Sequence, residues 1–261
     1  MLFKKLLIVV LAAAIGGWHS TSAGRSLKVG FFELPPHVYG AKSAGNHAQG
    51  PAIEYLHKIA ASMGVTLEVQ SRALPLSRLV HALAMGEIDV ALAMAKNPVR
   101  DGMFRFPEKP FFQMRPALMV MQPSRIQDIT DFDALADLRI GVYADGYLSP
   151  MLEGLATFSI HGEKVIHRGY QIMEWGRLDA VYSADSLDLY SNAAIYGFQK
   201  NVRIIELPEQ ATGLYTVFSS NVPAEVIAEY EQALRRMEPY SSFLKNFVIM
   251  NTTQSTAQAA W

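Results

Sequence analysis

The 261-residue chain contains no cysteine, and half of its residues are hydrophobic. Disulfides, thiolate catalysis and cysteine-held metals are excluded, so core burial must hold the fold, and this length allows one large domain or two smaller ones. Its 23 basic and 24 acidic residues leave a net charge of −1 with no basic stripe, which argues against a nucleic-acid partner.

The first segment has Lys4 and Lys5, an apolar run of ten residues from Leu6 to Ile15, then Gly16-Gly17 and the small residues Thr21-Ser22-Ala23. That is the layout of a cleavable secretory signal peptide over residues 1–23, and its apolar run is too short to span a bilayer. Cleavage after Ala23 is expected to release a soluble, periplasmic chain beginning at Gly24. With no cysteine there is no residue to carry a lipid anchor.

Leu27 to Phe32 reads as a strand, and Pro35-Pro36 forces an extended turn after it. Residues 40–50 are a polar, glycine-rich loop. Pro51 suits the first turn of a helix carrying Ile53, Leu56, Ile59, Ala60 and Met63, with Gly64 at its end. Val65–Val69 alternates as a strand, Leu76 to Leu83 has helical spacing, and Ile88–Met94 is a short buried strand. Alternation of this kind predicts a mostly parallel sheet flanked by helices.

A second β/α series follows a linker placed near Met119–Ser124. It comprises a strand at Leu138–Tyr143, a helix within Leu148–Leu155 and a short strand at Val165-Ile166. A helical turn is predicted at Tyr170–Trp175, a strand at Asp179–Ser183, a helix at Asp185–Tyr196 and a strand at Val202–Ile205. The last elements are a strand at Leu214–Phe218, a helix at Pro223–Met237 and another near Tyr240–Val248. Asn251–Ala260 is a polar tail.

Several short motifs then fall in order. They are Met63-Gly64-Val65, Leu83-Ala84-Met85-Gly86-Glu87-Ile88-Asp89, Asn97-Pro98-Val99-Arg100, Phe106-Pro107-Glu108-Lys109-Pro110-Phe111-Phe112, Leu138-Arg139-Ile140-Gly141-Val142 and Gly176-Arg177-Leu178-Asp179-Ala180-Val181. In this order the chain resembles the extracellular solute-binding proteins of family 3, the polar amino-acid type that serves ABC importers. The resemblance implies an α/β, two-lobed type II periplasmic binding-protein fold, each lobe a mostly parallel sheet flanked by helices, joined by two crossover segments. It implies a first lobe of residues 24–120 and 214–261, and a second lobe of residues 121–213. It also implies a monomer that closes by hinge motion on a small polar, carboxylate-bearing ligand and delivers it to an importer permease.

By the same resemblance Arg100 is the residue that grips a ligand carboxylate, which a guanidinium does through paired hydrogen bonds. Arg78, in Leu74-Pro75-Leu76-Ser77-Arg78, is similar to an arginine of divergent members. The acidic residue that pairs with a ligand ammonium aligns with Ala184. Asp185 stands one place on, either restoring that role through a bulge or capping the next helix. Tyr147 replaces a lobe-2 threonine, and His37 replaces an aromatic after the Pro-Pro turn.

Glu33, Tyr39, Phe112, Asp145, Tyr147 and Tyr182 lie near strand ends or loops expected to face the cleft. Tyrosines there can stack on a ligand and hydrogen-bond it. No cofactor is implied, and no nucleophile elbow, phosphate loop, dinucleotide fingerprint or H-E-x-x-H is present. A binding protein rather than an enzyme is expected. The alternatives are a dehydratase-like enzyme on the same fold, with Glu33 as the acid, or the ligand-sensing partner of a membrane receptor.

Overall fold

The computed structural model describes residues 25–40, 47–130 and 132–247. The predicted signal peptide and polar tail lie outside them. Two five-stranded sheets form the two lobes. In the first lobe β1 (Ser26–Phe31) pairs in parallel with β4 (Thr66–Val69) and with β5 (Val90–Ala95). A short ribbon of β2 (Tyr39–Gly40) and β3 (Ala48–Gln49) stands beside this sheet. On the far side of β5 come β12 (Thr212–Phe218) and then β6 (Phe112–Met114), both antiparallel to their neighbours.

The second sheet has the order β11, β7, β10, β8, β9. Here β8 (Ile140–Tyr143) runs parallel to β9 (Thr157–Ile160) and β10 (Ala180–Ser183). β7 (Ala117–Met121) is antiparallel to β10 and to β11 (Val202–Glu206).

The chain crosses between the lobes twice. One crossing lies between Met114 and Ala117, and the other between Glu206 and Thr212. Met114 is in register with Thr212, and Ala117 with Glu206, so the crossings run side by side. The linker predicted at Met119–Ser124 is therefore displaced. Met119–Met121 is strand in the second sheet, and the chain changes lobe at Arg115-Pro116. Strand β7, which a division after residue 120 assigns almost wholly to the first lobe, pairs only in the second sheet.

Helices follow the apolar spacing. α1 (Pro51–Ser62) starts at Pro51 and buries Ile53, Leu56 and Ile59, and α2 (Leu76–Ala84) buries Leu79 and Leu83. Each such buried leucine or isoleucine contributes about 1.5–3 kcal/mol of transfer free energy. In the second lobe α4 (Val165–Glu174) and α5 (Ser186–Tyr196) cover one sheet face. Ile129, Leu135 and Leu152 pack on the other. α6 (Ala224–Arg236) returns to pack beside α1 in the first lobe, and a last helical stretch covers residues 240–247.

Two predicted elements come out differently. Val165-Ile166 is the first turn of α4, not a strand. The turn at Gly162–Lys164, with Lys164 in the left-handed region at φ 55, ends the preceding strand at Ile160. Leu148–Leu155 holds only a single 3₁₀ turn, Pro150–Leu152, because Gly154 at φ 84 ends what Pro150 begins.

α4 lies so close to β10 that a Cβ at Gly169 would stand 2.6 Å from Val181 Cγ2 and 3.1 Å from its Cγ1. Gly169→Ala gains about 1 kcal/mol of helix propensity but overpacks a buried contact at a cost of about 1–3 kcal/mol. A net loss of stability is expected in urea unfolding with an unchanged m value. An unchanged or higher midpoint would show that α4 is free to shift.

Candidate functional site

The site is assembled where both sheets point their strand ends at the same gap. β5 ends at Ala95, and Asn97 then caps α3 (Pro98–Met103), its Oδ1 accepting from the Arg100 backbone N–H at 2.8 Å. The cap holds Arg100 against the strand end. Its Nη1 donates to the Ala95 carbonyl at 3.0 Å, and its Nη2 crosses the gap to the Asp145 carbonyl of the second lobe. Asp145 sits in the left-handed region at φ 57, in the tight turn that Gly146 N–H closes on the Tyr143 carbonyl at 2.9 Å.

Arg100 is only 5% exposed, and among the described residues no carboxylate lies within ion-pair distance of it. Burial pulls its pKa down and the charge of Asp145 opposes the shift, but a guanidinium stays protonated at any ordinary pH. A buried cation without an ion-pair partner in contact is costly unless something anionic is to meet it.

Around Arg100 lies an inner chamber of about 40 Å³. Its walls combine hydroxyls (Tyr143, Tyr147, Tyr182, Ser183) with Phe32, Leu34, Leu76, Met114 and Leu214. Ala93, on the β5 wall, has φ 64 and lies opposite the bulge in β12 between Tyr215 and Val217. Such a backbone costs about 1–3 kcal/mol in a non-glycine residue, and sites of this kind are where strain is commonly kept.

A second space of about 20 Å³, the outer chamber, shares Phe32, Leu76 and Tyr143 with the first and is lined by Glu33, Glu163 and Lys164 among others. The Phe32 and Tyr143 rings meet edge to face across the lobes at 6.4 Å and separate the two spaces.

Beside the crossovers is a buried polar relay that also joins the lobes. His37 Nε2 donates to Asp185 Oδ2 at 2.7 Å, and its Nδ1 shares a hydrogen bond of 2.8 Å with the Tyr240 hydroxyl. All three residues are at most 1% exposed. Gly50 makes this placement possible. At φ 114 it brings the start of α1 so near the His37 carbonyl that a Cβ would stand 2.5 Å from it, and Ala52 N–H donates to that carbonyl at 2.9 Å. Burial, and then the Asp185 charge, push the Tyr240 pKa well up, so its hydroxyl stays protonated.

One turn into α5, Asp188 is fully buried and accepts from the Tyr143 hydroxyl at 3.0 Å, Ser183 Oγ at 2.9 Å and Asn192 Nδ2 at 2.8 Å. Burial raises its pKa to about 8, with the neighbouring Asp185 charge adding to the rise and the three donors opposing it. Burial and the Asp188 charge likewise raise Tyr143.

Arg100, Tyr147 and Tyr182 line the inner chamber, Asp145 contributes its carbonyl beside it, and Glu33 lines the outer chamber. Asp185 is both the cap of α5, accepting from Leu187 N–H at 3.3 Å, and the partner of His37. Phe112 packs on the His37 ring at 4.9 Å and on Tyr240 at 5.6 Å, away from both chambers. Tyr39 is half-buried in β2 and also lines neither chamber, and burial raises its pKa.

Arg78 is about half exposed and pairs with Glu87 at 2.6 Å on the surface of the first lobe. At that position α2 presents its solvent face, and Arg78 lines neither chamber.

Asp188, Tyr143, Ser183 and the His37–Tyr240 contact escaped the sequence reading. A signal for the first was present: Asp188 and Asn192 are four apart on the face of α5 that also carries Leu189 and Ala193, a polar pair on a helix's buried side. Among the described residues no three His, Asp or Glu side chains are grouped to hold a metal ion.

Two sheet lobes, paired crossovers and a cleft between strand ends define a type II periplasmic-binding-protein fold. The model of family 3 of the bacterial extracellular solute-binding proteins matches residues 27–247, and the chain belongs to that family. No curated relative matches it.

Solved structures share the fold at low identity. AbpA, the substrate-binding protein of an amino-acid ABC transporter from Streptococcus pneumoniae bound to L-arginine, superposes with a TM-score of 0.68 at 16% identity, covering 85% of this chain and 93% of its own. An ancestral arginine-binding protein bound to arginine gives 0.69 at 20% identity, covering 85% and 97%. A histidine kinase sensor domain similar to periplasmic binding proteins gives 0.70 at 18% identity, covering 85% and 95%. The family and the first two of these neighbours are binding proteins. Among the described residues no helix is long and apolar enough to cross a membrane.

Proposed function

We propose that this is a periplasmic solute-binding protein whose lobes, residues 25–115 with 212–247 and residues 117–206, close on a small polar ligand bearing a carboxylate. The observation that carries the reading is Arg100, a buried guanidinium with no ion-pair partner among the described residues, placed in the inter-lobe chamber and already reaching a carbonyl of the other lobe. A carboxylate there supplies a counter-charge in direct contact and accepts charge-assisted hydrogen bonds. Tyr147 and Tyr182 on the chamber wall supply hydroxyls and ring faces for the rest of the ligand. Delivery to the permease of an ABC importer is part of the same proposal, and membership of a solute-binding family supports it.

A thermal-shift panel of amino acids, monocarboxylates and dicarboxylates on the purified protein tests the reading. A ligand at about 100 times its Kd adds about 2.7 kcal/mol of stability. Arg100→Ala is expected to weaken that ligand at least about tenfold, the equivalent of about 1.4 kcal/mol. A panel without a single carboxylate hit, or a hit indifferent to Arg100, overturns it.

The likeness to a kinase sensor domain favours a second reading, in which the closed form is presented to a membrane receptor instead of an importer. Pull-down of a receptor ectodomain by the liganded protein, with no ligand uptake lost on deletion of the gene, would select it.

A further inference from the structure

We infer that the inner chamber takes 2-oxo or 2-hydroxy carboxylates, acids that lack an α-ammonium group. The inference rests on the carboxylate reading of Arg100 and names the class within it.

An α-ammonium stands one carbon from its carboxylate, so it must share the chamber with the group that Arg100 holds. The residues that line that chamber include one cation and four hydroxyl-bearing side chains, of which Tyr143 and Ser183 donate to Asp188, and no Asp or Glu lines it. The two carboxylates that follow lining residues Ser183 and Ala184 in the chain are already committed. Asp185 serves His37 and Leu187 N–H, and Asp188 serves Tyr143, Ser183 and Asn192. The carbonyls nearest Arg100, those of Ala95 and Asp145, accept from the guanidinium itself. Glu33 lies in the outer chamber, beyond the Phe32–Tyr143 contact. Glu209, whose charge reaches Tyr182, accepts from Met151 N–H and is not part of the chamber wall. The Asp145 carboxylate is exposed and off the chamber wall, and its charge already acts on Arg100, so an ammonium would be desolvated here with no carboxylate in direct contact, the costly way to bury a charge.

A C2 oxygen meets the opposite situation. Tyr182 lines the chamber at 2% exposure, and its hydroxyl, although Ser149 stands beside it, makes no hydrogen bond of good geometry among the described residues. It has a proton to donate, and an oxo or hydroxyl oxygen accepts one. Buried polar groups in native proteins are rarely left unpaired, so an acceptor supplied by the ligand accounts for this one.

Titration calorimetry of the purified full chain with matched pairs tests the inference: pyruvate and alanine, 3-methyl-2-oxobutanoate and valine, 4-methyl-2-oxopentanoate and leucine, phenylpyruvate and phenylalanine. In the pair of fitting size the oxo acid is expected to bind at least about tenfold tighter than its amino acid. Arg100→Lys, which keeps the charge but not the fork, should weaken it severalfold, and Tyr182→Phe should weaken the oxo acid but not the corresponding unsubstituted acid. An amino acid that binds as tightly as its oxo partner, with the same dependence on Arg100, overturns the inference and leaves the carboxylate reading standing. Binding of neither member of any pair, or binding indifferent to Arg100, overturns the inference and the reading together.

Discussion

Asp185→Ala should destabilise the protein by about 3 kcal/mol or more, lowering Tm by on the order of 10 °C, because it strips a buried partner from His37. His37 and Asp185 meet at 2.7 Å with side chains 0% and 2% exposed, and one belongs to each lobe. A contact between lobes that swing apart would lose little on mutation, since water would replace it in the open form. This pair is placed differently. Ser186 N–H, the next residue, donates to the Arg115 carbonyl at 2.8 Å, and Arg115 belongs to the crossover itself. Asp185 is thereby tied to the crossover, and His37 is held beside it by Phe112 and Tyr240. The cost should therefore fall on folding, with a part of it, about 0.5–2 kcal/mol, from the lost cap of α5. Asp185→Asn keeps an acceptor for both partners and should lose distinctly less. Urea unfolding of the three proteins measures the series; equal midpoints for wild type and Asp185→Ala would show that the pair is free to hydrate.

This relay also marks the limit of what the residue order discloses. Strands β1, β5 and β10 and helices α1, α2 and α5 are legible because apolar spacing and a cap or proline agree on each. Arg100 is legible as a site candidate only through the family resemblance, which matches Asn97-Pro98-Val99-Arg100 after a buried strand; taken alone it reads as a surface arginine beside Asp101 and Arg105. Val165-Ile166 misleads because two branched apolar residues fit a strand as well as the buried first turn of a helix, and only the turn at Lys164 decides. The place of lobe change is hidden because β7 and the strands before it are equally apolar, and pairing partners far along the chain determine which sheet takes it. Asp185 shows the deepest difficulty. Its two readings, ligand partner or helix cap, both describe local geometry, whereas its main contact comes from a histidine 148 positions away.

Asp188 leads to the second large effect, a loss of stability as pH rises. Its folded pKa of about 8 lies above the ordinary carboxylate value of 3.8. Below about pH 4 the carboxyl is protonated in folded and unfolded chains alike, and its titration contributes nothing. Between the two values the unfolded chain releases the proton while the folded chain keeps it, so the folded state binds more protons and stability falls with rising pH. The slope approaches about 1.4 kcal/mol per pH unit, which bounds the loss between pH 5 and pH 8 at about 4 kcal/mol. Asp188→Asn has nothing to titrate there and offers the same shape to Tyr143 and Ser183. Its stability relative to wild type should rise steadily across that window in denaturant unfolding at fixed ionic strength. A gap that stays level would mean that the three donors around Asp188 hold it ionised in spite of burial. The proton in question sits under the cleft: the hydroxyl of Tyr143 rests on Asp188, and the ring of Tyr143 meets Phe32 between the two chambers. Ionisation makes Asp188 a stronger acceptor for the Tyr143 hydroxyl, so the contact that divides the cleft should hold over the same pH range, and calorimetry across it should find ligand affinity changing no more in wild type than in Asp188→Asn.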